Sequence, residues 1–125
     1  MNIYKFMMLA KEESLKSDYH KAQIGAVVVK GNKILSKAYN EIRHCKVGKR
    51  FSPWDNSVHA ERNACRKVDK EKLRGTSIFV YRETKDGMPA LALPCDDCFN
   101  MIQSLGIKRI YFSTNKYPFF GEIRL

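Results

Sequence analysis

Apolar side chains fall at Ile3, Phe6, Met7, Ala10 and Leu15, with charged residues between them. That spacing predicts an amphipathic helix over residues 3–16. Residues 23–30, QIGAVVVK, instead form a continuous apolar and β-branched run, the pattern of a buried strand. Gly31-Asn32 offers a two-residue turn, and residues 33–39 read as the partner strand of a hairpin. The stretch NEIRHCKVGKRFSPWDN follows, broken by Gly48 and Pro53, and reads as a long loop. Asp55, Asn56 and Ser57 are residue types that cap helices, so a helix is expected from there to about residue 69.

The second half repeats the alternation of elements. Residues 76–82, TSIFVYR, predict a strand, and residues 83–93, with Asp86-Gly87 and Pro89, predict a loop. A helix is expected near Cys95, with Asp96 and Asp97 in its first turn and Gly106 as its stop. Residues 107–113, IKRIYFS, read as another strand. The segment NKYPFFGEIRL begins with a turn and ends in a short apolar–polar alternation. Strands joined by helices imply an α/β fold with both sheet faces covered. The expectation is a three-layer α/β/α sandwich with a mixed five-stranded sheet, in a single domain spanning residues 1–125.

Composition narrows the class. Hydrophobic residues make up 44% of the 125, enough for one domain with a real core. The N-terminus lacks the basic start, long apolar stretch and small-residue cleavage site of a signal peptide. No run approaches the roughly 20 apolar residues of a membrane span. A soluble cytoplasmic protein with no membrane partner is expected. Lysine plus arginine is 23 against 13 acidic residues, a net charge of +10. Such an excess favours an anionic partner, a nucleotide phosphate or a polynucleotide. Because the basic residues are spread along the chain, a plain basic surface is the competing reading.

The four cysteines are Cys45, Cys65, Cys95 and Cys98. Pro94-Cys95-Asp96-Asp97-Cys98 opens the expected helix, where a three-residue spacing puts both sulfurs on one face. Backbone N–H groups at a helix start favour thiolates there. Cys-x-x-Cys alone also suits a redox pair. His59 lies at the start of the preceding helix. If the two helix starts meet at one edge of the sheet, His59, Cys95 and Cys98 form a three-ligand set that zinc prefers. Such a set leaves the fourth position open, as in a catalytic site. Glu61, two residues beyond His59, is not needed as a ligand. Its carboxylate is placed to exchange protons with a water that zinc has acidified.

HAE at residues 59–61, followed by PCDDC at residues 94–98, resembles the signature of the zinc-dependent cytidine and deoxycytidylate deaminase superfamily. The resemblance covers about residues 1–115 in motif and element order. It implies hydrolytic loss of the cytosine 4-amino group, leaving uracil and ammonia. Glu61 would protonate the ring nitrogen and then the departing amine. The resemblance further implies that Asn40, at the end of SKAYN, contacts the sugar and that the Ala60 backbone meets the base. A turn-forming role is the other reading of Asn40. Cys45 and Cys65 read as buried thiols. Some deoxycytidylate deaminases carry a second zinc, to which His44 and Cys45 would contribute.

The substrate is expected to be a free pyrimidine nucleotide, with dCMP converted to dUMP. HAERNA resembles the deoxycytidylate form, while KAYNE matches that family's Gly-Tyr-Asn-Gly stretch only at Tyr39-Asn40. Deamination of adenosine in transfer RNA is a further alternative, although those deaminases usually carry a glutamate before the proline, where this chain has Leu93. The segment 114–125 is too short for the crossover helix and strand usual in deoxycytidylate deaminases. A turn at residues 115–118 would fold FFGEIRL back as an antiparallel strand, which resembles free-nucleoside cytidine deaminases. The loop 41–56 carries Arg43, His44, Lys46, Lys49 and Arg50 beside Phe51 and Trp54. Basic residues beside aromatics suit a phosphate and a stacked base. Arg43, Trp54 and Leu93 are therefore candidate substrate contacts. Single-stranded DNA or RNA is the alternative partner, and a homo-oligomer is expected from the resemblance.

Overall fold

The computed structural model describes residues 2–18, 22–42 and 57–125. The first element is helix α1 (Ile3–Ser14), whose N-cap Asn2 accepts a hydrogen bond from the Lys5 N–H. Strands β1 (Ile24–Lys30) and β2 (Lys33–Tyr39) form the expected antiparallel hairpin around Gly31, which takes φ +62° in its turn. A two-residue pairing joins β3 (Glu41–Ile42) to β4 (Ser57–Val58). Helices α2 (Ala60–Arg66) and α3 (Lys70–Leu73) lead to β5 (Ser77–Glu83) and the short β6 (Pro89–Ala90). Helix α4 (Asp96–Ser104), β7 (Arg109–Ser113) and β8 (Phe120–Arg124) complete the order.

The main sheet runs β2-β1-β5-β7-β8, with β6 pairing β5 as a sixth, two-residue strand. Only β5 and β7 are parallel; the other pairs are antiparallel. The expected mixed five-stranded sheet is therefore present with one small addition. The segment 114–125 turns back as β8 antiparallel to β7, as its alternation predicted.

Strand alternation divides the core into two apolar layers. Val27, Val29, Phe79, Tyr81 and Tyr111 face α1 and pack with Phe6, Met7 and Ala10. Ala26, Val28, Ile78, Val80 and Ile110 face the other way and pack with Ala60, Ala64 and Ile102 from α2 and α4. The three-layer sandwich follows directly. Phe79 anchors the α1 side, stacked 4.6 Å from Tyr111 and tilted against Phe6 at 5.3 Å.

The second helix differs from its expected span. It starts at Ala60, because Ser57 and Val58 are drawn into the pairing with β3, and His59 rather than Asp55, Asn56 or Ser57 is its N-cap. It ends at Arg66, and a separate turn of helix, α3, follows Asp69. The expected 83–93 loop contains β6, a difference that matters below. The long loop's candidates Arg43, His44, Cys45, Lys46, Lys49, Arg50, Phe51 and Trp54 lie outside the described residues. Among the described residues, no helix is long and apolar enough to cross a membrane.

Backbone contact sets the α1–sheet distance. A Cβ at Gly25 would overlap the Ala10 carbonyl oxygen and come 2.6 Å from the Ser14 nitrogen. Both are backbone atoms that no side-chain rotation can move aside. Gly25→Ala is expected to destabilise the fold by about 1–3 kcal/mol or more, read as a lower denaturation midpoint at unchanged m-value. An unchanged midpoint would show that α1 does not rest on β1 in this way.

Candidate active site

The site is built where the N-terminal ends of α2 and α4 meet beside the sheet. His59 and Cys95 occupy equivalent positions, each an N-cap with extended backbone, at φ −65°, ψ 146° and φ −65°, ψ 166°. Neither side chain makes a capping hydrogen bond. Extended backbone at an N-cap lets the side chain swing off the helix axis, and the two turn toward one another. Cys98, in the first turn of α4, is fully buried and completes the group. His59 Nδ1 lies 3.2 Å from Cys98 Sγ and 3.6 Å from Cys95 Sγ. One donor atom from each residue lies within 4.8 Å of the others. The histidine and the two cysteines, which lie 36 and 39 positions further along the chain, are thus brought together as expected.

Glu61 sits in the first turn of α2 and lines the same cleft as His59 and Cys95. It is only 4% exposed, and its Oε1 has no hydrogen-bond partner. Burial raises its carboxyl above the ordinary range, opposed by a backbone N–H and by His59 and Arg62. The Cys98 thiol is likewise pushed up, by burial first and then by Glu61 and Cys95. A carboxylate and a second sulfur thus crowd the buried Cys98 thiol and disfavour its charged form. A divalent cation reverses the sign of that interaction and favours both thiolates. Two sulfur donors and an imidazole match zinc in type, and the unpartnered carboxylate oxygen suits a proton carrier beside it. The residues present fit a catalytic zinc.

The supports come from β2. Asn63 is buried, and its Nδ2 donates to the Tyr39 carbonyl at 2.9 Å while its Oδ1 accepts from Arg66 at 2.6 Å. Ser36 Oγ donates to the Ala64 carbonyl at 2.7 Å. These bonds pin the helix that carries Glu61 to the strand that ends at Asn40. In the sequence Asn63 stands out only as part of HAERNA; in the fold its buried amide positions α2 against β2.

Asn40 lines the cleft and is 2% exposed. Its Oδ1 accepts from the Ile24 N–H at 2.9 Å and its Nδ2 donates to the Ala22 carbonyl at 2.6 Å. It therefore holds the entrance of β1 as well as facing the cleft. The Ala60 side chain packs in the core layer beneath α2, and its neighbours His59 and Glu61 line the cleft. Leu93 lines the cleft and is half exposed. Leu91 and Arg82 are among the cleft residues that the sequence did not single out. Arg82 had a signal, a charge closing an apolar strand at its carboxyl end, where α/β sheets bind ligands. Cys65 is a buried thiol, as expected.

Cys98→Ser is expected to abolish stoichiometric metal binding and lower the melting temperature, as metal analysis and calorimetry would read. A folded variant with full zinc would overturn the ligand set. Thiol labelling gives a second check. After chelation at about pH 8, exposed Cys95 should alkylate first. Cys65, pushed up to about 12 by burial and then by Glu61, should resist until the chain unfolds. The folded thiol keeps its proton above the ordinary value of 9.0, where the unfolded one loses it. Stability from this group is therefore complete below pH 9.0 and falls as pH rises toward 12. Labelling of Cys65 in the folded protein would contradict its placement.

Known proteins place this geometry. The profile of the cytidine and deoxycytidylate deaminase zinc-binding region matches residues 1–114. The deoxycytidylate deaminase of Mycobacterium phage D29 is 29% identical over 125 residues, covering 86% of this chain and 90% of that protein. Among other relatives, the chain spans as little as 36% of the partner's length. The apo crystal structure of dCMP deaminase from cyanophage S-TIM5 superposes with a TM-score of 0.67 at 26% identity, over 90% of this chain and 82% of that one. Cytidine deaminase from Burkholderia pseudomallei shares the fold, with a TM-score of 0.71 at 20% identity over 99% and 93%. With its histidine and two cysteines gathered around one point and a buried glutamate beside them, this chain belongs to the cytidine and deoxycytidylate deaminase family of zinc-dependent hydrolytic deaminases.

Proposed function

We propose that the protein converts dCMP to dUMP, hydrolysing the 4-amino group of the cytosine base of a free deoxynucleotide and releasing ammonia. The observation that carries the reading is Glu61: a buried carboxylate with an unpartnered oxygen, in the same cleft as the three metal-binding residues. The deoxycytidylate deaminase of phage D29 and the dCMP deaminase of cyanophage S-TIM5 support the choice of substrate.

His59 Nδ1, Cys95 Sγ and Cys98 Sγ would hold zinc, which supplies an acidified water at neutral pH. The remaining work falls to this chain's own groups. Glu61 takes up a proton from the attacking water on its carboxylate, since burial raises its proton affinity, and passes it to the ring nitrogen of the base as the water oxygen bonds to C4. It then carries the remaining proton of that oxygen to the amino group, so that the C4–N bond breaks, ammonia leaves and uracil remains. The Ala60 backbone stands between the histidine and the glutamate and would meet the base. Asn40, already held by Ile24 and Ala22, has a second amide N–H for the sugar. Leu93 offers an apolar wall in the cleft. The cleft, of about 300 Å³, is the size of a small-molecule site. A free-nucleotide substrate fits a cytoplasmic enzyme of nucleotide metabolism, and assembly into a homo-oligomer belongs to the same reading.

The +10 charge favours one competing substrate, cytosine in a single strand. Ammonia release from dCMP, CMP, deoxycytidine, cytidine and a cytosine-bearing DNA oligomer, side by side, separates the two. Turnover of dCMP well above the others is expected. Turnover of the oligomer alone, with a steep salt dependence, would replace the proposed substrate. Glu61→Ala should lower turnover by about 10²–10⁴-fold while zinc content stays unchanged; retained turnover would sink the proton-carrier role.

A further inference from the structure

The carboxyl end of β5 places a cation in the cleft. Along this strand Ile78 and Val80 pack beneath α2 and α4, while Phe79 and Tyr81 pack beneath α1. The same alternation gives Arg82 to the α2 side, which carries His59 and Glu61. It gives Glu83 to the other side, where the Tyr81 hydroxyl donates to it at 2.9 Å and Lys11 lies at 3.9 Å. Arg82 accordingly lines the cleft together with Asn40 and Glu61.

Its backbone is held from both sides. Arg82 pairs with Ile24 of β1 and with Ala90 of β6. Its N–H donates to Ser113 Oγ at 3.0 Å, and that hydroxyl donates to the Ala90 carbonyl at 2.6 Å. The side chain is solvent-exposed and makes no ion pair with any described residue. An arginine on so fixed a base, turned into a cleft and without a carboxylate partner, is a ready anion site. The segment after β6 supplies the apolar counterpart. The Ala92 N–H donates to the Ser113 carbonyl at 3.0 Å and its side chain is buried. Leu91 and Leu93 stay half exposed and line the same cleft. One ligand can thus meet a proton carrier, an amide, two leucines and a guanidinium.

We infer that Arg82 is the specificity-determining residue that takes the 5′-phosphate of the mononucleotide, and that it selects nucleotide over nucleoside. The inference rests on the reading of this cleft as a cytosine-nucleotide site. A guanidinium presents paired N–H donors to two phosphate oxygens at once, which a surface lysine cannot reproduce.

The test compares zinc-loaded wild type, Arg82→Gln and Arg82→Lys, with kcat and KM measured on dCMP and on deoxycytidine. Binding of dUMP and of deoxyuridine is measured alongside by calorimetry. The ratio of kcat/KM for dCMP over deoxycytidine is expected to fall about 10- to 100-fold in Arg82→Gln, mainly through KM, and less in Arg82→Lys. The dUMP-over-deoxyuridine affinity ratio should fall in parallel. Equal losses on nucleotide and nucleoside, or an unchanged ratio, would overturn the assignment. If wild type turns over neither substrate, the dCMP reading fails while the binding arm still decides. Selective loss of dUMP affinity in Arg82→Gln would support the phosphate site. No selective loss, or no dUMP binding by wild type, would overturn it.

Discussion

Three donor atoms from two separate helix starts stand within 4.8 Å of one another, and much of the surrounding architecture keeps them there. Without a cation, the arrangement is unfavourable. The Cys98 thiol and the Glu61 carboxyl both sit where burial raises their proton affinity, and the carboxylate and the second sulfur raise that of Cys98 further. A zinc ion would offset this cost by favouring the thiolate. The rest of the fold holds the groups at that distance through its supports.

That support comes from hydrogen bonds between layers as well as from apolar packing. Helix α2 has only seven residues, too few to be stable alone. Asn63 and Ala64 fasten it to β2, and Ala60 and Ala64 bring it close to the sheet because their side chains are small. The strand held by Asn63 continues into Asn40, whose amide holds the start of β1. Buried amides therefore support both the helix that carries Glu61 and the side of the cleft at Asn40. The oxygen and one N–H of each amide have partners, the condition under which buried polar groups support a structure.

Across the cleft, Ser113 plays the corresponding part. Its hydroxyl bonds both Arg82 and Ala90, and its carbonyl holds Ala92. This ties the segment between β5 and α4 to the sheet and gives it a regular course where the sequence reads as open loop. The consequence is chemical: Leu91, Leu93 and Arg82 become walls of the site.

The sequence by itself determined the chemistry and the layering. Residue type decides which atoms can bind zinc, and HAE with PCDDC carries the three candidate ligands and the buried glutamate beside them. Periods of two and of nearly four in the apolar positions decide which faces must be buried, so the three layers and the returning strand β8 were legible. Tertiary structure alone decided where the second helix begins, what Asn40 and Asn63 hold, and which side chains line the cleft. Those outcomes depend on pairings between segments far apart in the chain: Ser57-Val58 with Glu41-Ile42, Asn63 with Tyr39, Ser113 with Arg82 and Ala90. Local propensity carries no information about such partners. A histidine among cap-forming neighbours and an arginine at the end of a strand look ordinary until the sheet order sets them beside one another.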